Sequence, residues 1–258
     1  MNSTIVDAIT IGTGPVKVMA LHASGTGAES LTRLANALGT SVQVVIPNLH
    51  GYGESISGND SDDSPLEQHY QIALAALRQF DGEEVHLVGH SMGAVVALML
   101  VSRAESKVAS LHLAEPVAFG VLDRKLDEDV IEEDRGSIEG LLKGAEDGIP
   151  KFFEYWNGTP WVDMPQGIKL SLQAMSRQIA SEALCVSADR TSVDCYDQIG
   201  CPVQLLIGDR TNKVASRICS RLSDHHPDWK LLQVKEAGHM LPIEQPIRVA
   251  DLVSPLLN

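Results

Sequence analysis

The stretch VHLVGHSMGAVVALMLV, Val85 to Val101, governs how the rest of the chain is read. Val85 to Gly89 reads as a short buried strand, and Val95 to Val101 is apolar on every side, which predicts a helix buried centrally rather than lying on a surface. Between them Gly89-His90-Ser91-Met92-Gly93 has the form G-x-S-x-G. Two glycines permit a sharp strand-to-helix turn that projects the Ser91 hydroxyl. The same turn aims the Met92 backbone N–H, helped by the helix dipole, at charge developing on a reacting oxygen. Ser91 is therefore the candidate nucleophile and Met92 a candidate oxyanion donor.

Working outward, short β-rich runs alternate with helical patterns. The predicted strands are Val16 to Leu21, Val42 to Ile46, Val85 to Gly89, Leu111 to Glu115, Val203 to Ile207 and Lys230 to Val234, with a further N-terminal strand over Thr4 to Ile11, paired as a hairpin. Such alternation predicts an α/β protein with a mostly parallel central sheet flanked by helices. The clearest helix runs from Leu66 to Phe80: Ser64 and Glu67 make a capping box, Pro65 takes the first helical position, and Asp81-Gly82 ends it. The alternation breaks once, from Val117 to Val193, where the pattern is wholly helical. A core of residues 1–116 and 194–258 is expected, with a helical cap over 117–193 inserted after the sixth strand. Five of the chain's eleven aromatics fall between Phe152 and Trp161. They form the cap's own core, or line an apolar pocket mouth, or both; Phe152, Tyr155, Trp156 and Trp161 are the candidate substrate contacts. The acidic run Asp123 to Asp134 reads as a solvated face.

A serine hydroxyl needs a base within hydrogen-bond reach. Ala237-Gly238-His239-Met240, just after the last strand and before a C-terminal helix (Gln245 to Leu257), places His239 at the same edge of the sheet as Ser91. His22, His90 and the His225-His226 pair rank below it. The second oxyanion donor is expected from the loop after Val16 to Leu21, where the N–H of Ser24 is preferred and that of Ala23 is the fallback.

Bulk properties narrow the function. The chain has 258 residues, a formal charge of −14 and 44% hydrophobic residues. That charge opposes nucleic acid and anionic membrane surfaces. No stretch approaches the roughly 20 apolar residues of a membrane span, and MNSTIVDAIT has neither a basic n-region nor an apolar h-region, so a soluble, cytoplasmic monomer or homodimer is expected. The four cysteines, at 185, 195, 201 and 219, lack metal-binding spacing and read as reduced structural thiols. No metal and no organic cofactor is expected.

Leu21-His22, Pro47-Asn48-Leu49-His50-Gly51-Tyr52-Gly53-Glu54-Ser55, the Ser91 turn and Gly238-His239 stand in the order and spacing of the α/β-hydrolase superfamily, which the whole chain resembles. More narrowly, LHLAEPVAFG and FFEYWNGTPWVDMP resemble a bacterial group of serine hydrolases whose substrate is undefined. The resemblance implies an α/β-hydrolase fold and a Ser-His-acid triad. The acid usually stands three positions after the glycine that follows the strand corresponding to VQLLI, and here that position is Thr211. Glu115, at the end of the preceding strand, is preferred as the acid, and Asp209 is the alternative. Asn48 replaces a common Asp without touching a catalytic role.

The function this implies is cleavage of a carboxylic ester, or a related thioester or lactone, of a small to medium apolar substrate through an acyl-enzyme. A non-hydrolytic ligand-binding or signalling member of the fold is the alternative. A Rossmann-type nucleotide-binding protein is suggested by Gly25-Thr26-Gly27-Ala28-Glu29-Ser30, but the acidic residue expected at the end of the next strand is replaced by Ile46-Pro47-Asn48. A P-loop is excluded because no Gly-Lys-Ser/Thr follows the glycines.

Overall fold

A computed structural model describes residues 4–58, 63–103 and 107–257. In chain order the strands are β1 (Ala8–Ile11), β2 (Val16–Leu21), β3 (Val42–Pro47), β4 (Val85–His90), β5 (Val108–Ala114), β6 (Val203–Gly208) and β7 (Lys230–Val234). The helices are α1 (Thr32–Ala37), α2 (Pro65–Arg78), α3 (Met92–Ser102), α4 (Glu128–Lys143), α5 (Ala145–Asn157), α6 (Gln166–Ala174), α7 (Ser176–Ala188), α8 (Lys213–His225), α9 (Leu241–Glu244) and α10 (Pro246–Val253).

The seven strands form one sheet in the order β1-β3-β2-β4-β5-β6-β7. Every pairing is parallel except β1 with β3. This corrects the N-terminal hairpin: β2 is flanked on both sides by parallel partners, β3 and β4, so β1 can add only at the outer edge of β3. With one N-terminal strand, the helical insertion α4 to α7 follows the fifth strand rather than the sixth.

The order reverses between β2 and β4, because the chain steps outward to β3 and then returns to the far side of β2. A crevice opens at such a switch point, beyond the carboxyl ends of the strands. Ser91 and the Ala23–Ser24 loop lie at those two ends.

All six residues of β4 are buried, as is α3 from Met92 to Leu98. The sheet's two faces are filled separately. Met19, Leu87, Leu111 and Leu205 pack on one side with α2, α3 and α8, and Val18, Val44, Val88 and Leu206 pack on the other with α1 and α10. At α2 the expected cap is present, Ser64 Oγ accepting from the Glu67 N–H at 3.3 Å, but the Glu67 carboxylate turns away to Arg103. Among the described residues no helix is long and apolar enough to cross a membrane.

Candidate active site

Ser91 sits between β4 and α3 with φ 55° and ψ −118°, a strained left-handed conformation for a non-glycine residue. Its N–H donates to the Ala114 carbonyl at 2.9 Å, which fixes the turn against β5. The flanking glycines are required by close approach. A Cβ on Gly89 would lie 2.5 Å from Ala94 Cα, and one on Gly93 would lie 2.4 Å from the Leu21 carbonyl oxygen.

Ser91 Oγ is 2.9 Å from His239 Nε2, and His239 Nδ1 is 2.7 Å from Glu115 Oε2. All three side chains are buried. Glu115 follows β5 with φ 46°, another left-handed residue, and its N–H donates to the Leu206 carbonyl at 3.0 Å. Its carboxylate is fully satisfied: Oε1 accepts the Gly208 N–H at 2.8 Å, and Oε2 accepts the Thr211 hydroxyl at 2.6 Å as well as the imidazole. Thr211, in the position where the resemblance leads one to expect the acid, thus donates to Glu115, the preferred candidate. Asp209 is exposed and turned away; Oδ1 accepts the Ala237 N–H at 3.1 Å. Backbone N–H groups of Glu236 and Ala237 hold its carboxyl below the usual range.

Two of the lower-ranked histidines position their neighbours. His22 Nδ1 donates to the Ala23 carbonyl at 2.8 Å and Nε2 accepts the Leu49 N–H at 3.0 Å, which defines a neutral imidazole pinning the Ala23–Ser24 loop. Burial lowers its pKa to about 4. His90 Nε2 donates to the His239 carbonyl at 2.9 Å, and burial together with His239 lowers the His90 pKa to about 3. Neither is available as a base.

The sequence profile of the alpha/beta hydrolase family matches residues 18–252. This chain belongs to that family. Among curated relatives, Lipase LipV of Mycobacterium tuberculosis is 26% identical, covering 95% of this chain and 94% of its own. The N-formylmaleamate deformylase of Pseudomonas putida is 25% identical over 81% of this chain and 76% of its own. Among solved structures, a bromoperoxidase from Bacillus anthracis superposes with a TM-score of 0.78 at 16% identity, covering 99% of both chains. A thermophilic esterase from Thermogutta terrifontis superposes with a TM-score of 0.75 at 21% identity, covering 99% of this chain and 95% of its own. These structural likenesses bear on the fold.

In this alpha/beta hydrolase a cavity of about 50 Å³ opens beside Ser91, lined by Ser24 and Met92 and by side chains from the helical insertion. Phe152 and Trp156 line it, together with Phe153. Trp156 also packs on His239, the two ring centroids 4.6 Å apart. The other two expected contacts do not reach the cavity. Trp161 lies past the end of α5, which a left-handed Gly158 terminates, and packs in the insertion's own core with Phe153 and Leu172. The Tyr155 hydroxyl is drawn toward α4, where burial and the charges of Asp134 and Glu133 push its pKa up.

A residue the sequence reading passed over stands above the Ser24 loop. Glu182 of α7, 1% exposed, accepts from the Ser24 hydroxyl at 2.5 Å, the Tyr52 hydroxyl at 2.8 Å and Gln178 Nε2 at 2.9 Å. His69 Nε2 lies 3.2 Å from Oε1 without the alignment of a hydrogen bond. Burial alone would raise the Glu182 pKa, but the imidazole and these donors hold it below its ordinary value. Tyr52 in turn accepts the Gly25 N–H at 2.7 Å, so both residues after Ala23 are tied to one buried carboxylate. The signal for Tyr52 lay in the H-G-Y-G stretch. Nothing local marks Glu182, which sits on a helix 130 positions further along.

Among the described residues one group of metal-ligand type occurs, Asp197, His225 and His226 at the end of α8, and none of these lines the Ser91 cavity. The four cysteines are free thiols.

Proposed function

We propose that this protein is a serine hydrolase that cleaves a carboxylic ester, or a related thioester or lactone, through an acyl-enzyme. The observation that carries the reading is the continuous chain Ser91 Oγ, His239 Nε2, His239 Nδ1 and Glu115 Oε2, with steps of 2.9 and 2.7 Å. His239 takes the Ser91 proton as Oγ attacks the carbonyl carbon, and Glu115 accepts the Nδ1–H, fixes the tautomer and stabilises the imidazolium. The N–H groups of Met92 and Ser24 receive the oxyanion. His239 then protonates the leaving alcohol, and a water activated by the same base releases the acid. The lipase names among relatives agree with ester cleavage. The apolar lining by Phe152, Phe153 and Trp156 favours a small or medium substrate group.

Incubation of folded protein with a fluorophosphonate, followed by mass spectrometry, tests this reading. A covalent adduct on Ser91, absent from Ser91→Ala, is expected. Folded protein that remains unlabelled at Ser91 would overturn it.

A further inference from the structure

Among the described residues four carboxyl side chains are buried: Glu115, Asp127, Asp134 and Glu182. Three have a cation or imidazole beside them. Glu115 has His239, Glu182 has His69, and Asp127 at the start of α4 has Arg221 at 2.8 Å and Arg217, both from α8. Buried charges are ordinarily paired in this way, because an isolated one is costly to desolvate.

Asp134, in α4, departs from the pattern. It is 2% exposed, and its carboxyl meets only hydroxyls: Ser137, one turn along, at 3.3 Å, and Ser187 of α7. Three arginines, Arg124, Arg135 and Arg190, line the neighbouring cavity on its outer side, and none of them bonds to the Asp134 carboxyl. Arg135 pairs with Glu132 at 2.8 Å, and Arg190 donates to the Ser187 and Asp189 carbonyls. Burial without compensation pushes the Asp134 pKa up to about 7. Beside it the Tyr155 hydroxyl is buried with no partner.

The side chain is nonetheless placed where a ligand can reach it. Asp134, Ser187 and Ile138 line the same cavity as Ser91. They also line the wall shared with a neighbouring cavity of about 200 Å³ that Ser91 and His239 do not touch. Asp134 therefore stands at the side of the Ser91 cavity away from the reacting groups. Phe152, Phe153 and Trp156 line the same cavity, and aromatic rings of this kind suit a methylene stem and a cation. The charge of −14 on the whole chain further draws cations in.

We propose that the substrate group held in this cavity ends in a positively charged nitrogen, which Asp134 receives as its missing counter-charge while the aromatic rings of α5 enclose the stem. The inference depends on the ester-hydrolase reading for the place of the scissile bond, but the cation subsite exists independently of it.

Two matched ester pairs probe the acyl and alcohol sides: β-alanine ethyl ester against ethyl butanoate, and acetylcholine against 3,3-dimethylbutyl acetate. In at least one pair kcat/KM should favour the cation by about tenfold or more, the effect of one charge-assisted contact, and Asp134→Asn should bring that ratio close to unity. Asp134→Ser serves if the Asn variant does not fold. Preference for the neutral ester in both pairs, or a cation preference unchanged by the substitution, overturns the proposal. If no ester is turned over, thermal shifts of Ser91→Ala with propylammonium and with 1-propanol separate the two readings. Stabilisation specific to the ammonium ion and lost in Ser91→Ala/Asp134→Asn supports the subsite while the hydrolase reading fails, and its absence sinks the subsite too.

Discussion

Glu115 and Asp134 are both buried carboxyls near one cavity, yet they are built in opposite ways. Glu115 ends a central strand, where its neighbours are the ends of β6 and the loops after it, so two protein donors and an imidazole fill its acceptor sites. Asp134 belongs to a helix of the insertion and has serine hydroxyls alone. At the carboxyl end of β5, the Glu115 carboxylate is satisfied from within the protein. In the helical layer the Asp134 carboxyl has no counter-charge, and the buried Tyr155 hydroxyl and Trp156 Nε1 have no hydrogen-bond partner. The contrast teaches that burial by itself does not assign a role: what matters is which partners the fold has already supplied.

The largest expected effect tests the Glu115 side. Glu115→Gln keeps the shape but loses the charge that stabilises protonated His239, and kcat for ester hydrolysis should fall by up to about 10⁴. Asp209→Asn, whose carboxyl meets only backbone N–H groups of the neighbouring turn at Glu236 and Ala237 and not His239, should stay within about twofold of wild type. Comparable losses in the two variants would break the assignment of the acid.

A smaller effect is expected where the two regions meet. Glu182 of α7 grips the Ser24 hydroxyl and, through Tyr52, the Gly25 N–H, so Glu182→Gln should loosen the loop that offers the Ser24 N–H. Displacing a catalytic donor by an ångström costs on the order of 10²-fold. The loss should fall on kcat with KM little changed, because the oxyanion forms only after attack. A change confined to KM would show that Glu182 shapes the cavity and does not position the donor loop.

The smallest effect sharpens the other side. Since burial raises the folded-state pKa of Asp134 from 3.8 to about 7, the native protein holds a proton there that the unfolded chain releases. Stability contributed by that proton is present below pH 4 and lost as pH rises through about 7. Asp134→Asn should therefore gain a few degrees of Tm relative to wild type on going from pH 4 to pH 8. A difference in Tm that does not change with pH would mean that Asp134 is already compensated in the native protein.

Much of this site was legible in one dimension. The turn at Ser91 announces itself because a side chain projected between strand and helix needs glycines at fixed offsets, and close packing on Ala94 and the Leu21 carbonyl enforces them. His239 was legible because it follows the last strand. The apolar run of α3 correctly indicated central burial. The N-terminal strand was legible as a strand but not in its pairing, since which edge remains open depends on the order of the whole sheet.

What the linear chain determined by itself is therefore the set of local conformations: strands, helices, the strained turn and the residue types able to do chemistry there. Distances across the fold were decided by tertiary structure. Glu115 and Asp209 are both carboxyls at strand ends, and only the register of β5 on β6 brings the first, and not the second, to His239. The joining of Glu182 to Ser24, 158 positions apart, and the isolation of Asp134 arise in the same way. Hydrogen bonds and charge pairing act over a few ångströms, so the partners of a buried group are set by which elements pack together, and a single chain read in order does not carry that information.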